Sequence, residues 1–409
     1  MGNARLNACR LADSILGVAG DSTASKLGGH YHLFYEYTID LATGIQKEDH
    51  LSLSPGGWPV VPHSDSVKAG HLPSLDGLRA LAIFLVLLGH SNGTRGFVSL
   101  DLVIKDYAYL GVVVFFVISG FLITRLMLVE HSEHGRVSLR LFHARRALRL
   151  FPAAYAFIAC VCLLWWIGVV HLQARDVWCA VTYTMNYLPG RSWQFGHLWA
   201  LSLEEQFYLL WPFAFVIFGP RRVGWVAAGG ILIGPVARAA AWLFLRGTPY
   251  YGLELFPLVA DCIAMGCLLG KISDWLETQN WYLQLFRPVY SLGLLALALL
   301  IRRYTGYTVV SVFGTSVVNA CIAVLVHRSV YCSRDWVGIV LNWKPVVYVG
   351  GLSYSLYLWQ QLFLNRNSSD WINAFPQNLL FAVAAALGSY YLLEKPLLRL
   401  RHRLRAKTA

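Results

Sequence analysis

The sequence predicts an all-α, polytopic membrane protein with about ten transmembrane helices around a central cavity, and three observations predict it. First, the 409 residues are 56% hydrophobic and only 14% charged, whereas soluble domains carry roughly a quarter charged residues. A soluble globule of this length still needs a charged surface, and this chain cannot supply one. Second, apolar runs follow one another from residue 72 to residue 393 with short polar connections between them. Third, the Arg and Lys residues behind the net charge of +12 collect in those connections. Orientation signals are placed that way, whereas a nucleic-acid surface gathers its charge along one polar face, so no nucleic-acid partner is expected.

Residues 1–70 are polar, Gly/Ser-rich and weakly patterned. They lack the basic start, apolar centre and cleavage site of a signal peptide, and read as a poorly ordered N-terminal extension. The membrane domain is expected over 71–400. Its runs fall at 75–91, 108–128, 150–171, 199–218, 223–245, 256–270, 288–301, 307–327, 346–365 and 376–393, some of them shorter than the ~20 residues of a straight span. A weaker eleventh run lies at 176–189. Loop charge decides whether it crosses. The connection carrying Arg136, Arg140, Arg145, Arg146 and Arg149, the Arg221/Arg222 pair, the 328–344 segment and the basic tail 401–409 all belong inside by the positive-inside rule. Ten crossings put all four inside, with both termini cytoplasmic; an eleventh reverses every later loop. The 176–189 segment is therefore expected to be re-entrant or superficial. Arg302 and Arg303 fall outside in this topology. The 15 Trp, many near the ends of runs, suit aromatic belts. The 8 Cys are scattered without metal-ligand spacing, and no metal is expected.

Charge at membrane depth costs a few kcal/mol per group on insertion scales, about 2.5–3.5 at the helix centre, and marks a candidate functional site. One cluster is in LPSLDGLRALAIFLVLLGHS, with Asp76, Arg79 and His90. Eleven positions at ~100° each return to within about 20°, so Arg79 and His90 share a helix face, roughly 16 Å apart along the axis. Asp76, three residues before Arg79, can reach its guanidinium. Taken alone, these residues also fit interfacial anchors and a helix-end cap. The second cluster is in GHLWALSLEEQFYLLWP, where Glu204 and Glu205 lie seven and eight residues beyond His197, inside an apolar run. Neighbouring helix positions differ by ~100°, so one of the two glutamates shares a cavity with His197 and Ser202. A buried His with a carboxylate close in space is a general acid/base pattern. We take His90, Glu204 and Glu205 as the catalytic candidates. Arg79, Arg146, Arg149, Asp76 and Ser202 are the substrate-binding candidates. Ser119-Gly120 reads as a small-residue helix contact, and Asp261, in an apolar run, has no assigned role. The same intramembrane His, Arg and Glu would also serve a proton-coupled secondary transporter. Such transporters often show Gly/Pro-broken segments in matching halves, whereas here the charged motifs crowd into residues 76–206.

At these residues the sequence resembles the acyltransferase-3 family, the membrane O-acyltransferases that modify bacterial surface polysaccharides, peptidoglycan, Nod factors and macrolides. LDGLRALAIFLVLLGH carries the family's Arg-x10-His signature as Arg79 and His90. GVVVFFVISGFLITRLM is similar to its second-helix motif, and FHARRALRLFP supplies Arg-x-x-Arg as Arg146 and Arg149. HLWALSLEEQFYLLWP is similar to its Glu-containing motif, and LSYSLYLW and LEKP resemble its closing helices.

The resemblance implies an integral protein of the bacterial inner (plasma) membrane. It would move an acyl group, acetyl in the first instance, from cytoplasmic acyl-CoA to a hydroxyl of a carbohydrate or lipid-linked glycan. Acyl-CoA enters as donor substrate, with no bound cofactor. His90 would be the catalytic base or would pass the acyl group on. Arg79, Arg146 and Arg149 would hold the donor, in keeping with guanidinium forks for a polyanion, although residues 145–149 also serve as ordinary positive-inside charges. Glu205 or Glu204 would orient or charge-balance His90. Three departures stand out. Val113 replaces an acidic residue that many members carry, and Gln360 stands where a His is frequent. The chain also ends soon after LEKP without the hydrolase domain that some relatives append, so transfer to the final acceptor is expected from the membrane domain itself or from a separate partner.

Overall fold

A computed structural model describes residues 72–98, 107–304, 310–333 and 335–397. The expectations for residues 1–70 and for the tail 401–409 lie outside the described residues. Among the described residues all regular structure is helical. The longer helices are α1 (Pro73–Ser91), α2 (Tyr107–His134), α3 (Leu139–Trp166), α4 (Ala174–Val181), α5 (Leu198–Phe244), α6 (Phe256–Leu276), α7 (Pro288–Arg303), α8 (Thr315–Tyr331), α9 (Lys344–Phe363) and α10 (Gln377–Ser389).

Local sequence explains several of these boundaries. Helices α1, α6, α7 and α9 each begin with Pro in the first turn, where its missing N–H costs nothing and its fixed φ is already helical. Helix α3 starts at Leu139, behind Ser138, whose hydroxyl accepts from the Leu141 N–H at 3.4 Å, a typical N-cap. It therefore begins eleven residues before the apolar run at 150. The Arg-rich connection lowers hydropathy but does not interrupt the helix, because Arg is a good helix former.

Among the described residues, six segments are long and apolar enough to cross a membrane: Pro73–Ser91, Tyr107–His134, Leu139–Trp166, Trp193–Phe244, Phe256–Leu276 and Val310–Tyr331. The fourth has 52 residues, which as a straight helix would run about 78 Å at 1.5 Å per residue against a hydrocarbon core of about 30 Å. It breaks at Gly219, whose φ of 72° is left-handed and suits glycine, just before Pro220, Arg221 and Arg222. The runs at 288–301, 346–365 and 376–393 are also helical, as α7, α9, and α10 with its continuation through the π turn Tyr390–Glu394. The 176–189 segment folds as the eight-residue α4 and a 3-10 turn, Met185–Tyr187. Eight residues reach only about 12 Å.

Helix α2 buries much of its length, with Phe116, Val117, Ile118 and Phe121 each no more than 2% exposed. It meets α6 backbone to backbone. A Cβ on Gly120 would lie 2.2 Å from the Ile263 carbonyl oxygen, and one on Gly266 2.2 Å from that of Val117. Without a hydrophobic drive between helices in lipid, such close approach through small residues is how spans adhere. The Ser119-Gly120 pair thus divides, with Gly120 serving the helix contact.

Asp261 is fully buried and takes both ends of the Arg238 guanidinium, at 3.0 and 2.8 Å, together with the Ser316 hydroxyl at 2.6 Å. Arg238 also donates to the carbonyls of Val312 and Leu258. This cluster joins the second half of α5, α6 and the start of α8, which gives Asp261 a structural place in the helix bundle.

Candidate functional site

Five helices, α1, α2, α3, α5 and α9, converge on a cavity of about 90 Å³. Its polar lining includes Arg79, Arg146, Arg149, Glu204, Ser119 and Tyr208, with Ser353, Tyr354 and Tyr357 from α9, set among apolar groups such as Phe116 and Leu201. Each side chain arrives by helix geometry. In the first turn of α1, Asp76 accepts from Arg79 Nη1 at 2.5 Å, the i,i+3 contact that the spacing predicts. Arg146 and Arg149 are three apart in α3 and so lie on neighbouring positions of one face. Glu204 and Tyr208 stand one turn apart in α5 in the same way.

Glu204 is the hub. It accepts from Ser119 Oγ at 2.5 Å and from the Tyr208 hydroxyl, and it pairs with Arg146 Nη2 at 3.4 Å. The Arg146 guanidinium lies 3.4 Å from the centroid of the Tyr208 ring, a cation–π contact that spreads its charge over the ring face. Its Nε is buried without a hydrogen-bond partner.

His90, at the other end of α1, is held separately. Its Nδ1–H donates to Gln360 Oε1 at 2.9 Å, and its ring meets Trp193 edge-on with centroids 6.2 Å apart. Below it, His197 donates from Nε2 to the Leu358 carbonyl at 3.0 Å and its own carbonyl accepts from Tyr357 at 2.7 Å.

The structure thus brings Arg79, Arg146, Arg149 and Glu204 together and leaves four predicted site residues outside the cavity lining, among them Asp76, which reaches the site through Arg79. Glu205, about 100° further round α5 than Glu204, is not part of the lining. Ser202 is buried against the Met185 turn, donating to the Leu198 carbonyl at 2.9 Å and accepting from the Met185 N–H at 3.2 Å, with both functions of its hydroxyl used. His90 lies beyond the lining, and its described hydrogen-bond partner is Gln360 where a glutamate was expected. The reason is depth. Glu204 lies seven residues past His197, roughly 10 Å further along α5 at 1.5 Å per residue, beside Arg146. Sequence reasoning did not reach Tyr208, read Ser119 as a helix contact, and noted Gln360 only as standing where a His is frequent. Tyr208 carried a signal, its i,i+4 position relative to Glu204. The partners of Ser119 and Gln360 are 85 and 270 residues away in the chain, and no local pattern reports them.

Residues 72–394 match the acyltransferase-3 family profile, an acyltransferase domain. The chain is similar to the peptidoglycan O-acetyltransferase OatA of Listeria monocytogenes, at 27% identity over 324 residues, covering 71% of this chain and 49% of that protein. It is also similar to the O-acetyltransferase OatA of Staphylococcus aureus, at 28% over 323 residues, covering 71% and 50%. The chain spans about half the length of the curated relatives it matches.

Proposed function

This chain belongs to the acyltransferase-3 family, and from that premise we propose that it carries an acyl group, acetyl by analogy with its relatives, from cytoplasmic acyl-CoA to a carbohydrate hydroxyl presented on the other side of a bacterial plasma membrane. In this reading the ten helical runs are ten crossings, with both termini cytoplasmic. The observation that carries the proposal is the convergence of Arg79, Arg146 and Arg149 on one cavity among five helices, with the Arg146 Nε unpartnered. All three belong to the cytoplasmic halves of α1 and α3 in the proposed topology. Guanidinium forks bind phosphates strongly and with fixed geometry, which suits the nucleotide end of coenzyme A.

Within the cavity, Glu204 sets the position of Arg146, and Ser119 and Tyr208 hold that carboxylate by hydrogen bonds. His90 sits on the outward side, where it meets the acceptor hydroxyl. Its imidazole takes the proton as the hydroxyl oxygen attacks the acyl carbonyl. The Asp76–Arg79 pair, on the same face of α1 roughly 16 Å inward, places a cation at the opposite end of the path from donor to acceptor.

The test is glycan acylation in cells carrying wild-type, His90→Ala or Arg149→Ala protein at equal membrane abundance. Acylated surface glycan is expected in the wild type alone. Full acylation in the His90→Ala strain removes the catalytic assignment, and unchanged glycan with altered solute uptake in all strains favours a transporter.

A further inference from the structure

Gln360 is fully buried, and the two ends of its amide have different fates. The oxygen accepts the Nδ1–H of His90 at 2.9 Å, while Nε2 is buried with no hydrogen-bond partner. An unpaired buried amide costs about 1–3 kcal/mol, and one beside a candidate catalytic imidazole requires an explanation.

The surroundings hold this amide in place. The next residue, Gln361, donates from Nε2 to the Trp193 carbonyl at 2.6 Å, and Trp193 Nε1 donates back to the Gln361 carbonyl at 2.9 Å. That reciprocal pair fixes α9 against the segment leading into α5, at the level of His90. A second buried polar atom, His197 Nδ1, also has no partner. Its Nε2–H is already given to Leu358, so Nδ1 is an acceptor. The neighbourhood of His90 therefore offers an unused N–H donor and an unused acceptor, the complement of a polar reacting group.

An amide oxygen can only accept, so the ring proton of His90 resides on Nδ1 and its Nε2 keeps a lone pair. Building on the acyl-transfer reading above, we propose that Gln360 acts twice: its oxygen holds His90 in the form that is basic at Nε2, and its Nε2–H donates to the oxyanion that develops on the acyl carbonyl. As the acceptor oxygen bonds to the acyl carbon, its proton passes to His90 Nε2 and the carbonyl π pair moves onto oxygen, facing the Gln360 N–H. Collapse of the oxyanion breaks the carbon–sulfur bond. The coenzyme A thiolate leaves and takes the proton from Nε2, which restores the neutral imidazole. Amide side chains are effective oxyanion donors when fixed in advance. A neutral amide at Nδ1 cannot remove that ring proton, so an acyl group on Nε2 would leave a cationic acylimidazolium. This arrangement selects the base role for His90 over the carrier role.

The experiment uses the full chain purified in detergent, with acetyl-CoA and soluble peptidoglycan fragments as probes. It compares wild type, His90→Ala, Gln360→Leu and Gln360→Glu, the glutamate keeping an acceptor for Nδ1–H while losing the amide donor. Gln360→Glu is expected to lower kcat about 100-fold and Gln360→Leu about 1000-fold, the range for loss of one oxyanion donor, with KM for acetyl-CoA within about threefold of wild type, which is how loss of an interaction made only in the transition state reads. If Gln360→Leu does not fold, Gln360→Glu decides. Either variant turning over within threefold of wild type overturns the proposal, as does acetyl-His90 recovered from acid-quenched wild type. An inactive wild type, or an active His90→Ala protein, sinks the acyl-transfer reading itself. Active wild type, inactive His90→Ala and active Gln360→Glu sink the role of Gln360 alone.

Discussion

Replacing Glu204 by Leu leaves Arg146 without its carboxylate in a site where the two side chains are only 19% and 16% exposed. At 3.4 Å and an effective dielectric near 20, the lost Coulomb attraction is about 5 kcal/mol, partly offset by solvation of the freed guanidinium. The Ser119 and Tyr208 hydroxyls lose their shared acceptor as well. Removing one partner of a buried pair generally costs about 3–5 kcal/mol, so Glu204→Leu is expected to lower the unfolding temperature in detergent by roughly 6–10 °C, at about 2 °C per kcal/mol for a protein of this size. The same physics predicts that adding Arg146→Met recovers most of that loss, because no uncompensated charge remains. Thermal unfolding of the two single variants and the double variant forms a double-mutant cycle with a coupling of about 2–3 kcal/mol. A double variant no more stable than Glu204→Leu alone refutes the buried-pair reasoning.

Other outcomes follow from the same contacts. Arg149→Ala is expected to raise KM for acyl-CoA by about 10- to 100-fold, the equivalent of one or two charge-assisted hydrogen bonds, while Gly219→Ala leaves KM unchanged; initial-rate kinetics separates the two. Gly120→Val should lower stability by more than the usual ~1–3 kcal/mol of overpacking, because the new Cβ meets a backbone carbonyl at 2.2 Å; thermal unfolding and gel filtration report it. Asp261→Ala leaves Arg238 buried and should cost about 3–5 kcal/mol, yet leave KM for acyl-CoA unchanged in the fraction that folds, because Asp261 is not part of the cavity lining.

Most of the helical organisation was legible, because hydropathy is a direct readout of lipid as solvent. Among the described residues each of the ten apolar runs falls largely on helical structure, and the break in the long fourth segment follows from Pro220 and two arginines after Gly219. The early start of α3 was not legible, since hydropathy is silent about charged residues that remain helical. The site divides in the same way. Asp76 with Arg79, and Arg146 with Arg149, are local relations that helical spacing reports, and the structure has both. The partner of Glu204 across α2 and that of His90 across α9 depend on which helices become neighbours, which single-sequence periodicity does not encode. Ser202 is the converse case. Helical spacing places its hydroxyl on the right stretch of helix, and only the tertiary contacts with the Met185 turn show that it is already hydrogen-bonded.

The most direct test of the central claim is release of free coenzyme A thiol from acetyl-CoA, measured by the purified full chain with peptidoglycan fragments present and absent, for wild type and His90→Ala. The account predicts acceptor-dependent thiol release by the wild type and a loss of about 1000-fold or more in His90→Ala, with acetyl-CoA binding retained. Equal rates in the two proteins would contradict it.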